Sequence, residues 1–205
     1  MEERFTEIYK GNLWGGSESV SGPGSSVDYT ANLRRALPVL FREFEIASVF
    51  DAPCGDFNWM KHVLAECPLD YVGGDIVKPM IEAHQAQYAA PNIRFVYMDL
   101  TKDAYPRADL MIARDFLIHL SYEDTRRVLG NFVGSGIKYL LTTTHVNTTG
   151  FENQDIVTGG FRLMDLFAPP YDFPYDVLAR IEDWKPPFRA KEMCLWSREQ
   201  IAELL

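Results

Sequence analysis

The apolar residues of this chain fall into short runs, and polar segments with helical spacing of their apolar residues lie between these runs. Five short runs are typical of buried strands, at residues 47–52, 69–75, 93–99, 109–113 and 137–144. Four segments have helical spacing, at residues 28–44, 58–66, 78–88 and 122–132. Alternating strands and helices are typical of βαβ units, so the pattern predicts a parallel sheet covered on both faces.

The C-terminal part of the chain has a different pattern. Residues 146–176 are rich in Gly, Asn, Asp and Pro, which indicates a long functional loop. Residues 177–184 and 191–197 have the pattern of two more strands in an antiparallel hairpin. The predicted fold is therefore α/β: a doubly wound, mostly parallel seven-stranded sheet with helices on both faces and a C-terminal antiparallel hairpin.

The N-terminal part contains two further signals. Residues 11–30 are rich in Gly and Ser, and we expect a loop there. Pro38 falls inside the predicted helix 28–44, and we expect it to kink or interrupt that helix. We interpret residues 1–205 as one domain, with residues 1–30 as a lid or loop segment.

Composition narrows the classes of partner. The chain has 205 residues with 20 basic and 29 acidic side chains, a formal charge of −9, which argues against a nucleic-acid or anionic-membrane surface. Three widely spaced cysteines form no CxxC pair, so the sequence favours neither a disulfide framework nor a zinc site. The charged start lacks the apolar core of a signal peptide, and no apolar run approaches the roughly 18 residues of a membrane span. We expect a cytoplasmic protein.

Candidate chemistry lies where the first two strands end. Asp51 ends the first strand, a turn with Gly55 follows, and Asp75 ends the second strand twenty residues after Gly55. This separation is typical of a carboxylate that accepts hydrogen bonds from ribose hydroxyls. Asp51 and Asp56 would repel a pyrophosphate, but they would attract the ammonium and sulfonium of S-adenosylmethionine (SAM). The following helix N-terminus is available for the single carboxylate of that ligand.

Four segments carry a family resemblance, VFDAPCGDF, YVGGDI, FVYMDL and DLMIARDFLIHL, in this order along the chain. Over about residues 30–145 the sequence resembles the class I (Rossmann-like) SAM-dependent methyltransferases. The opening WGGSESVSGPGSS and the tail resemble a group of small bacterial methyltransferases of poorly defined substrate. One departure is clear: the family pattern has three glycines, and Pro53 and Phe57 stand where the first and third would be.

The resemblance implies SAM as the cofactor and assigns residues to it. Asp51 and Gly55 would face the methionine moiety, Asp75 the ribose and Asp99 the adenine amino group, with backbone contacts from Leu100. Further members of the same motifs complete the predicted cofactor site: Pro53, Cys54, Ile76 and Arg114. The alternative is that Asp51 and Asp75 merely end strands or cap helices, and that Asp99 belongs to an ordinary turn.

The acceptor side is predicted from residues that follow the fourth and fifth strands. Asp115, His119 and His145 are the candidate catalytic residues, since a histidine can remove a proton from an oxygen or nitrogen near neutral pH. The alternative is that the histidine of the apolar stretch FLIHL, His119, is a hydrogen-bonded structural residue. A metal site from Asp115, His145 and Asp155 lacks a compact ligand motif, so we expect none. Residues 146–176 would form an insertion on the acceptor side.

Two other residues bear on the site. Trp14, with the segment 21–25, is expected to fold over the cofactor as a lid, or else to anchor an N-terminal loop on the core. His84 lies in a predicted helix, and we expect it on the surface.

The favoured function is SAM-dependent methyl transfer to an oxygen or nitrogen of a small-molecule acceptor, with no nucleic acid and no membrane as partner. Two alternatives remain open. One is a non-catalytic protein that binds SAM or a nucleotide and keeps the fold. The other is a dinucleotide-dependent oxidoreductase, which would require a pyrophosphate to tolerate Asp56.

Overall fold

Strands and helices alternate as the apolar pattern predicts, from the second helix to the fifth strand. The computed structural model describes all residues, 1–205. The strands are β1 (Ser48–Asp51), β2 (Asp70–Asp75), β3 (Ile93–Tyr97), β4 (Leu110–Ala113), β5 (Tyr139–His145), β6 (Ala179–Glu182) and β7 (Lys191–Ser197). The α-helices are α1 (Glu2–Gly11), α2 (Ala31–Glu43), α3 (Met60–Glu66), α4 (Lys78–Tyr88), α5 (Tyr122–Ser135) and α6 (Arg198–Ala202). Two single 3₁₀ turns lie at Pro23–Ser25 and Leu117–His119.

All seven strands form one sheet, in the order β3-β2-β1-β4-β5-β7-β6. Strands β1 to β5 pair in parallel, whereas β7 runs antiparallel to both β5 and β6. The prediction of a mostly parallel seven-stranded sheet with an antiparallel C-terminal pair is confirmed. The strand order reverses between β1 and β4, so the carboxyl ends of these two central strands bound the crevice where α/β proteins place their ligands.

The sheet buries apolar side chains on both faces. Adjacent side chains of a strand point to opposite faces, and Val49 and Phe50 of β1 accordingly belong to two separate apolar clusters. The cluster around Phe50 includes residues of α5 and α6, and the cluster around Val49 includes residues of α2, α3 and α4. The central strands are therefore rigid supports for whatever follows their carboxyl ends.

Two helices are absent from the sequence-based prediction. Helix α1 buries Phe5 and Ile8 against Val77 and Met80 beside the start of α4. Helix α6 begins at a capping box in which the Ser197 hydroxyl accepts from the backbone N–H of Gln200. The N-terminal segment thus begins with a helix, and its loop follows Gly11.

Helix α2 continues through Pro38, so of the two expected effects, a kink or an interruption, the interruption does not occur. Proline removes one intrahelical hydrogen bond. The buried Leu33, Leu37, Leu40 and Phe41 hold this helix to the core on both sides of the proline. Tertiary packing therefore outweighs the local cost.

Residues 146–178 contain no strand or helix, in agreement with the predicted loop. Asn147 and Asn153 bridge distant parts of this loop, because their side-chain amides donate to the carboxylate and the backbone carbonyl of Asp165, respectively. None of the helices has the length and apolar character that crossing a membrane requires.

Candidate active site

A cavity of about 1040 Å³, including the solvent at its mouth, lies at the carboxyl ends of β1, β2 and β4. It brings together eleven of the thirteen predicted site residues: Trp14, Asp51, Pro53, Cys54, Gly55, Asp75, Ile76, Leu100, Arg114, Asp115 and His119. The other two, Asp99 and His145, are not part of its wall.

The turn after β1 is held by hydrogen bonds of the N–H and of the carbonyl of one residue, Gly55. Gly55 has φ 53°, its N–H donates to Asp75 Oδ2 over 3.2 Å, and its carbonyl lies 2.8 Å from His84 Nε2. A Cβ at this position would stand 2.5 Å from Ser21 Oγ, so both the backbone conformation and the space require glycine.

His84 is buried, so the expectation of a surface histidine is wrong. Helix α4 turns this residue toward the β1 turn, where its ring packs against Phe57 and Phe95. A carbonyl oxygen can only accept, so the ring nitrogen facing Gly55 carries the proton. Burial lowers the pKa of His84, which keeps the ring neutral at pH 7.

Phe57 stands at the third glycine position of the family pattern, and it adopts the backbone conformation that a glycine would supply there. Its φ is 59°, in the left-handed region. The ring is buried and packs against Tyr71, Tyr88 and Phe95, with centroids 5.0–5.3 Å away. Aromatic packing of the Phe57 ring thus keeps the turn in the left-handed backbone conformation that a glycine would adopt.

Two buried carboxylates face the cavity. Burial raises the pKa of Asp51 to about 7, although the Tyr71 hydroxyl donates to it over 2.7 Å and Arg114 lies nearby. Burial likewise raises the pKa of Asp75 to about 6, although the N–H groups of Val77 and Gly55 donate to its carboxylate. Both groups would gain from a cation or from hydroxyl donors in the cavity.

Asp99 makes only local contacts. Its carboxylate accepts from the N–H and hydroxyl of Thr101 at 3.0 and 2.7 Å and pairs with Lys102 at 3.0 Å. Although burial raises the pKa of Asp99, these partners outweigh it and hold the pKa below its usual value. Its neighbours Met98 and Leu100 do line the cavity.

Arg114 is the only lysine or arginine in the cavity wall. Its Nε and Nη2 donate to the two carboxylate oxygens of Asp183 over 2.8 and 3.0 Å, and Nη2 also donates to the Gly24 carbonyl over 2.7 Å. The guanidinium carbon lies 5.6 Å from the Trp59 ring centroid. Arg114 is therefore a fixed cation among the cavity's carboxylates.

Asp115 is a fixed anion beside this cation. Its Oδ2 pairs with Lys191 Nζ and lies 3.6 Å from Arg114 Nη1. Although burial raises the pKa of Asp115, the charges of Lys191 and Arg114 outweigh burial and hold the pKa well below its usual value. Its Oδ1 is buried without a hydrogen-bond partner.

His119 lies in the cavity wall with its tautomer fixed. Nδ1 lies 2.7 Å from the carbonyl of Gly160, so Nδ1 carries the proton and Nε2 keeps its lone pair. The Trp14 ring stacks on the imidazole at 5.2 Å and 26°. Burial lowers the pKa of His119, so the lone pair is free at neutral pH.

His145 has the opposite arrangement. Its Nδ1 accepts from the N–H of Met164 over 3.2 Å, and the residue is buried outside the cavity wall. His145 is therefore a buried, hydrogen-bonded histidine that does not reach the cavity. No group of three or more His, Cys, Asp or Glu side chains is placed to hold a metal ion.

The N-terminal segment forms one wall of the cavity. The backbone N–H of Val20 donates to Asp56 Oδ2, and the backbone N–H of Asp56 donates back to Ser21 Oγ, both over 2.9 Å. Together with the bond from Arg114 to the Gly24 carbonyl, these contacts tie the segment to the β1 turn and to the end of β4.

Sequence reasoning missed Trp59, Asp183 and Lys191. Trp59 immediately precedes α3, and its place two residues after the β1 turn was a usable signal. Asp183 and Lys191 come from the β6–β7 hairpin, 69 and 76 residues from their partners Arg114 and Asp115. No local pattern marks such a pairing.

Comparison with known proteins identifies the fold. No family model matches the sequence, and no curated protein matches it. Among solved structures, a Burkholderia thailandensis 1,6-didemethyltoxoflavin-N1-methyltransferase with bound S-adenosylhomocysteine (SAH) is similar, with TM-score 0.67 and 16% identity over 96% of this chain and 86% of that chain. A Synechocystis PCC 6803 magnesium protoporphyrin IX methyltransferase with bound SAH gives 0.62 and 14% over 96% and 93%. Human N-acetylserotonin methyltransferase with SAM gives 0.61 and 16% over 96% and 59%.

At these identities the likeness is one of fold, and it agrees with the strand order and with the place of the cavity. The chain has the fold of the class I, Rossmann-like methyltransferases.

Proposed function

We propose that this protein is a SAM-dependent methyltransferase that acts on an oxygen or nitrogen of a small-molecule acceptor. One observation carries the proposal: the cavity at the strand-order reversal holds two buried carboxylates, one fixed guanidinium and one histidine with a free lone pair. This set matches the charges of SAM and adds a base for the acceptor.

Each charged or polar part of SAM has a counterpart in the wall. Asp75 would accept from the ribose hydroxyls. Asp51 suits the ammonium, and Arg114 suits the carboxylate, in place of the helix N-terminus. Met98, Leu100 and Phe116 offer apolar surface to the adenine, and a contact from Asp99 would compete with Thr101 and Lys102.

A dinucleotide fits this wall less well. Its two phosphates would meet four carboxylates, those of Asp51, Asp56, Asp75 and Asp115, and a single guanidinium. Dinucleotide sites instead present a glycine-rich helix N-terminus to the pyrophosphate. The charge of the wall therefore favours the sulfonium cofactor over the oxidoreductase alternative.

Bound SAM supplies an electrophilic methyl group, and the chemistry of the protein concerns the acceptor. His119 Nε2 is the group that would take the proton from the acceptor O–H or N–H, worth about 10²–10⁴-fold in rate. Asp115 is a poor base, because its pKa is held low, but its charge stabilises the imidazolium that forms. We assign no chemistry to His145.

The acceptor side is assigned to residues 146–176 and the N-terminal segment. Gly160 orients His119, the Phe161 ring lies 6.0 Å from the imidazole, and Trp14 covers it. The names of the similar structures, which include N-acetylserotonin and 1,6-didemethyltoxoflavin, support a small acceptor. The proposal treats residues 1–205 as one domain, with helices on both faces of the sheet and residues 1–30 as the lid.

Calorimetric titration with SAH tests the cofactor. Asp75→Asn should weaken SAH binding by at least about tenfold, since hydrogen bonds to a charged group contribute roughly 1.5–3 kcal/mol. Asp70→Asn is the matched control, because Asp70 lies exposed at the other end of the same strand. If wild-type protein binds an NAD cofactor and not SAH, the proposal is wrong.

Turnover tests the chemistry. Wild-type protein incubated with methyl-labelled SAM and a small-molecule extract should transfer label to a low-molecular-weight product. His119→Asn should bind SAH normally and lose most of this transfer. Tight SAH binding without transfer to any extract would favour the non-catalytic alternative.

A further inference from the structure

The guanidinium of Arg114 is held in position by Asp183, which lies 69 residues later in the chain. Asp183 follows β6, three strands away from β4 in the sheet, and its side chain is fully buried. It accepts from Nε and Nη2 of Arg114, the side-on pairing that fixes both the position and the plane of a guanidinium.

This pairing leaves one nitrogen of Arg114 for a ligand. Nε and Nη2 are used by Asp183 and by the Gly24 carbonyl. Nη1 makes no hydrogen bond and lies 3.6 Å from Asp115 Oδ2. It is not fully buried. Because Nε and Nη2 are held by these partners and the guanidinium is planar, the direction in which Nη1 points is fixed.

The surrounding charges balance. Lys191 Nζ lies 3.3 Å from Asp183 and also pairs with Asp115. Arg114 and Lys191 carry two positive charges, and Asp115 and Asp183 carry two negative charges. A buried arginine is costly unless it is paired. Asp183, which accepts from Nε and Nη2, is outside the cavity wall, whereas Asp115, 3.6 Å from Nη1, belongs to that wall.

We propose that Asp183 is a positioning residue for the cofactor site: it holds Arg114 so that Nη1 faces the carboxylate of the bound amino-acid moiety. The inference rests on the proposed function. Asp183 touches no ligand and acts only through Arg114, so its removal should affect the carboxylate end of the ligand and not the adenosine end.

Ligands that differ only in the carboxylate separate these two effects. SAH is compared with S-adenosyl-3-thiopropylamine, its decarboxylated form, which keeps the adenosine, the sulfur and the ammonium. In Asp183→Asn the Kd for SAH should rise about tenfold, the value of one charged hydrogen bond. The Kd for the decarboxylated ligand should change by less than about twofold. Glu182→Gln is the matched control, since Glu182 is the exposed residue directly before Asp183 and its side chain makes no ion pair.

The double variant Asp183→Asn with Lys191→Met removes one charge of each sign, so the buried cluster keeps a net charge of zero. This variant leaves no buried charge without a counter-charge, and we therefore expect it to fold. It should show the same selective loss. Equal weakening of both ligands, or unchanged SAH binding in either variant, would overturn the role of Asp183. Failure of wild-type protein to bind either ligand would instead contradict the proposed function.

Discussion

Phe57 illustrates how a residue can replace a glycine without changing the backbone. The left-handed conformation costs a non-glycine residue roughly 1–2 kcal/mol. Its buried ring, among Tyr71, Tyr88 and Phe95, contributes more than this cost. The three-glycine pattern is therefore one solution to a backbone requirement, and this chain uses another.

Restoring the family glycine should consequently destabilise the protein. Truncating a buried Phe costs about 3–5 kcal/mol, and relief of the left-handed strain returns only a part. We expect Phe57→Gly to lower the free energy of unfolding by roughly 2–3 kcal/mol in urea denaturation. Tyr175→Gly, at an aromatic residue that is 75% exposed, is the control with a small effect. Unchanged stability of Phe57→Gly would refute the packing explanation.

Asp51 and Asp75 should make SAH binding depend on pH. Their pKa values of about 7 and about 6 describe the cavity without ligand. An ammonium near Asp51 favours its ionised form and lowers its pKa, so binding releases protons below pH 7. Affinity should rise from pH 5 to about 7 and then level off, until the ligand's own amine titrates. Titrations in two buffers of different ionisation enthalpy measure the released protons, and proton uptake at pH 6 would contradict this sign.

Residue identity in the site was predictable wherever a strand end marked it. Asp51 and Asp75 end strands and Gly55 lies in the turn after one, and all three line the cavity, as this spacing predicts. His84 was misplaced because the polar composition of α4 does not reveal which face meets the β1 turn. Asp183 was missed because its only signal is a partner 69 residues earlier in the chain.

Among the secondary-structure elements, α4 links the sheet to the turn after β1. The sequence predicts its bounds at Lys78–Tyr88, as observed, since Pro79 in the first turn and the following residues favour a helix. Its function for the site depends on one hydrogen bond, from His84 to the carbonyl of Gly55. Because Gly55 N–H donates to Asp75, this bond also supports the carboxylate that we propose for the ribose.

Removal of that bond should weaken the cofactor site more than the fold. His84→Phe keeps an aromatic ring among Phe57, Tyr88 and Phe95 but has no donor. We expect about tenfold weaker SAH binding, with a change in Tm of only a few degrees. The same substitution at His62, a half-buried histidine of α3, is the control. A large loss of Tm with normal SAH affinity in the folded fraction would limit His84 to a structural role.

Helices α1 and α6 mark the limits of local pattern reading. Helix α1 is a short polar helix that gains its stability from Val77 and Met80, seventy residues later, and isolated helices of this length are marginal. Helix α6 is five residues long, although the capping box at Ser197 and Gln200 was visible in the sequence. The strands were predictable because full burial requires continuous apolar runs.

For the whole molecule, ligand binding and folding are linked. A ligand that binds only the folded state at a hundred times its Kd adds about 2.7 kcal/mol of stability. For a chain of this size we expect SAH to raise Tm by roughly 5–10 °C. At the same SAH concentration the shift should fall to about half or less in Asp75→Asn, where binding is at least about tenfold weaker, and persist in Asp70→Asn. An equal shift in all three proteins would indicate binding outside this cavity.

Residues 28–32 are also in contact with the β6–β7 hairpin. Tyr29 packs on Phe188 with ring centroids 5.3 Å apart, Asn32 donates to the carbonyl of Glu182, and Lys185 pairs with Asp28. These contacts attach the segment that leads into helix α2 to the β6–β7 hairpin. The cavity is consequently built from segments that are distant in sequence.

The pairing of Arg114 with Asp183 has a consequence for biosynthesis. A ribosome delivers the chain from its N-terminus, so β1 to β5 emerge before the hairpin that holds the counter-ion of Arg114. The nascent protein can form its parallel sheet early, but the counter-ion of Arg114 arrives only when the segment around Asp183 has been added. Premature termination before Asp183 would therefore leave a chain with most of its sheet, in which Arg114 lacks the carboxylate that accepts from its Nε and Nη2.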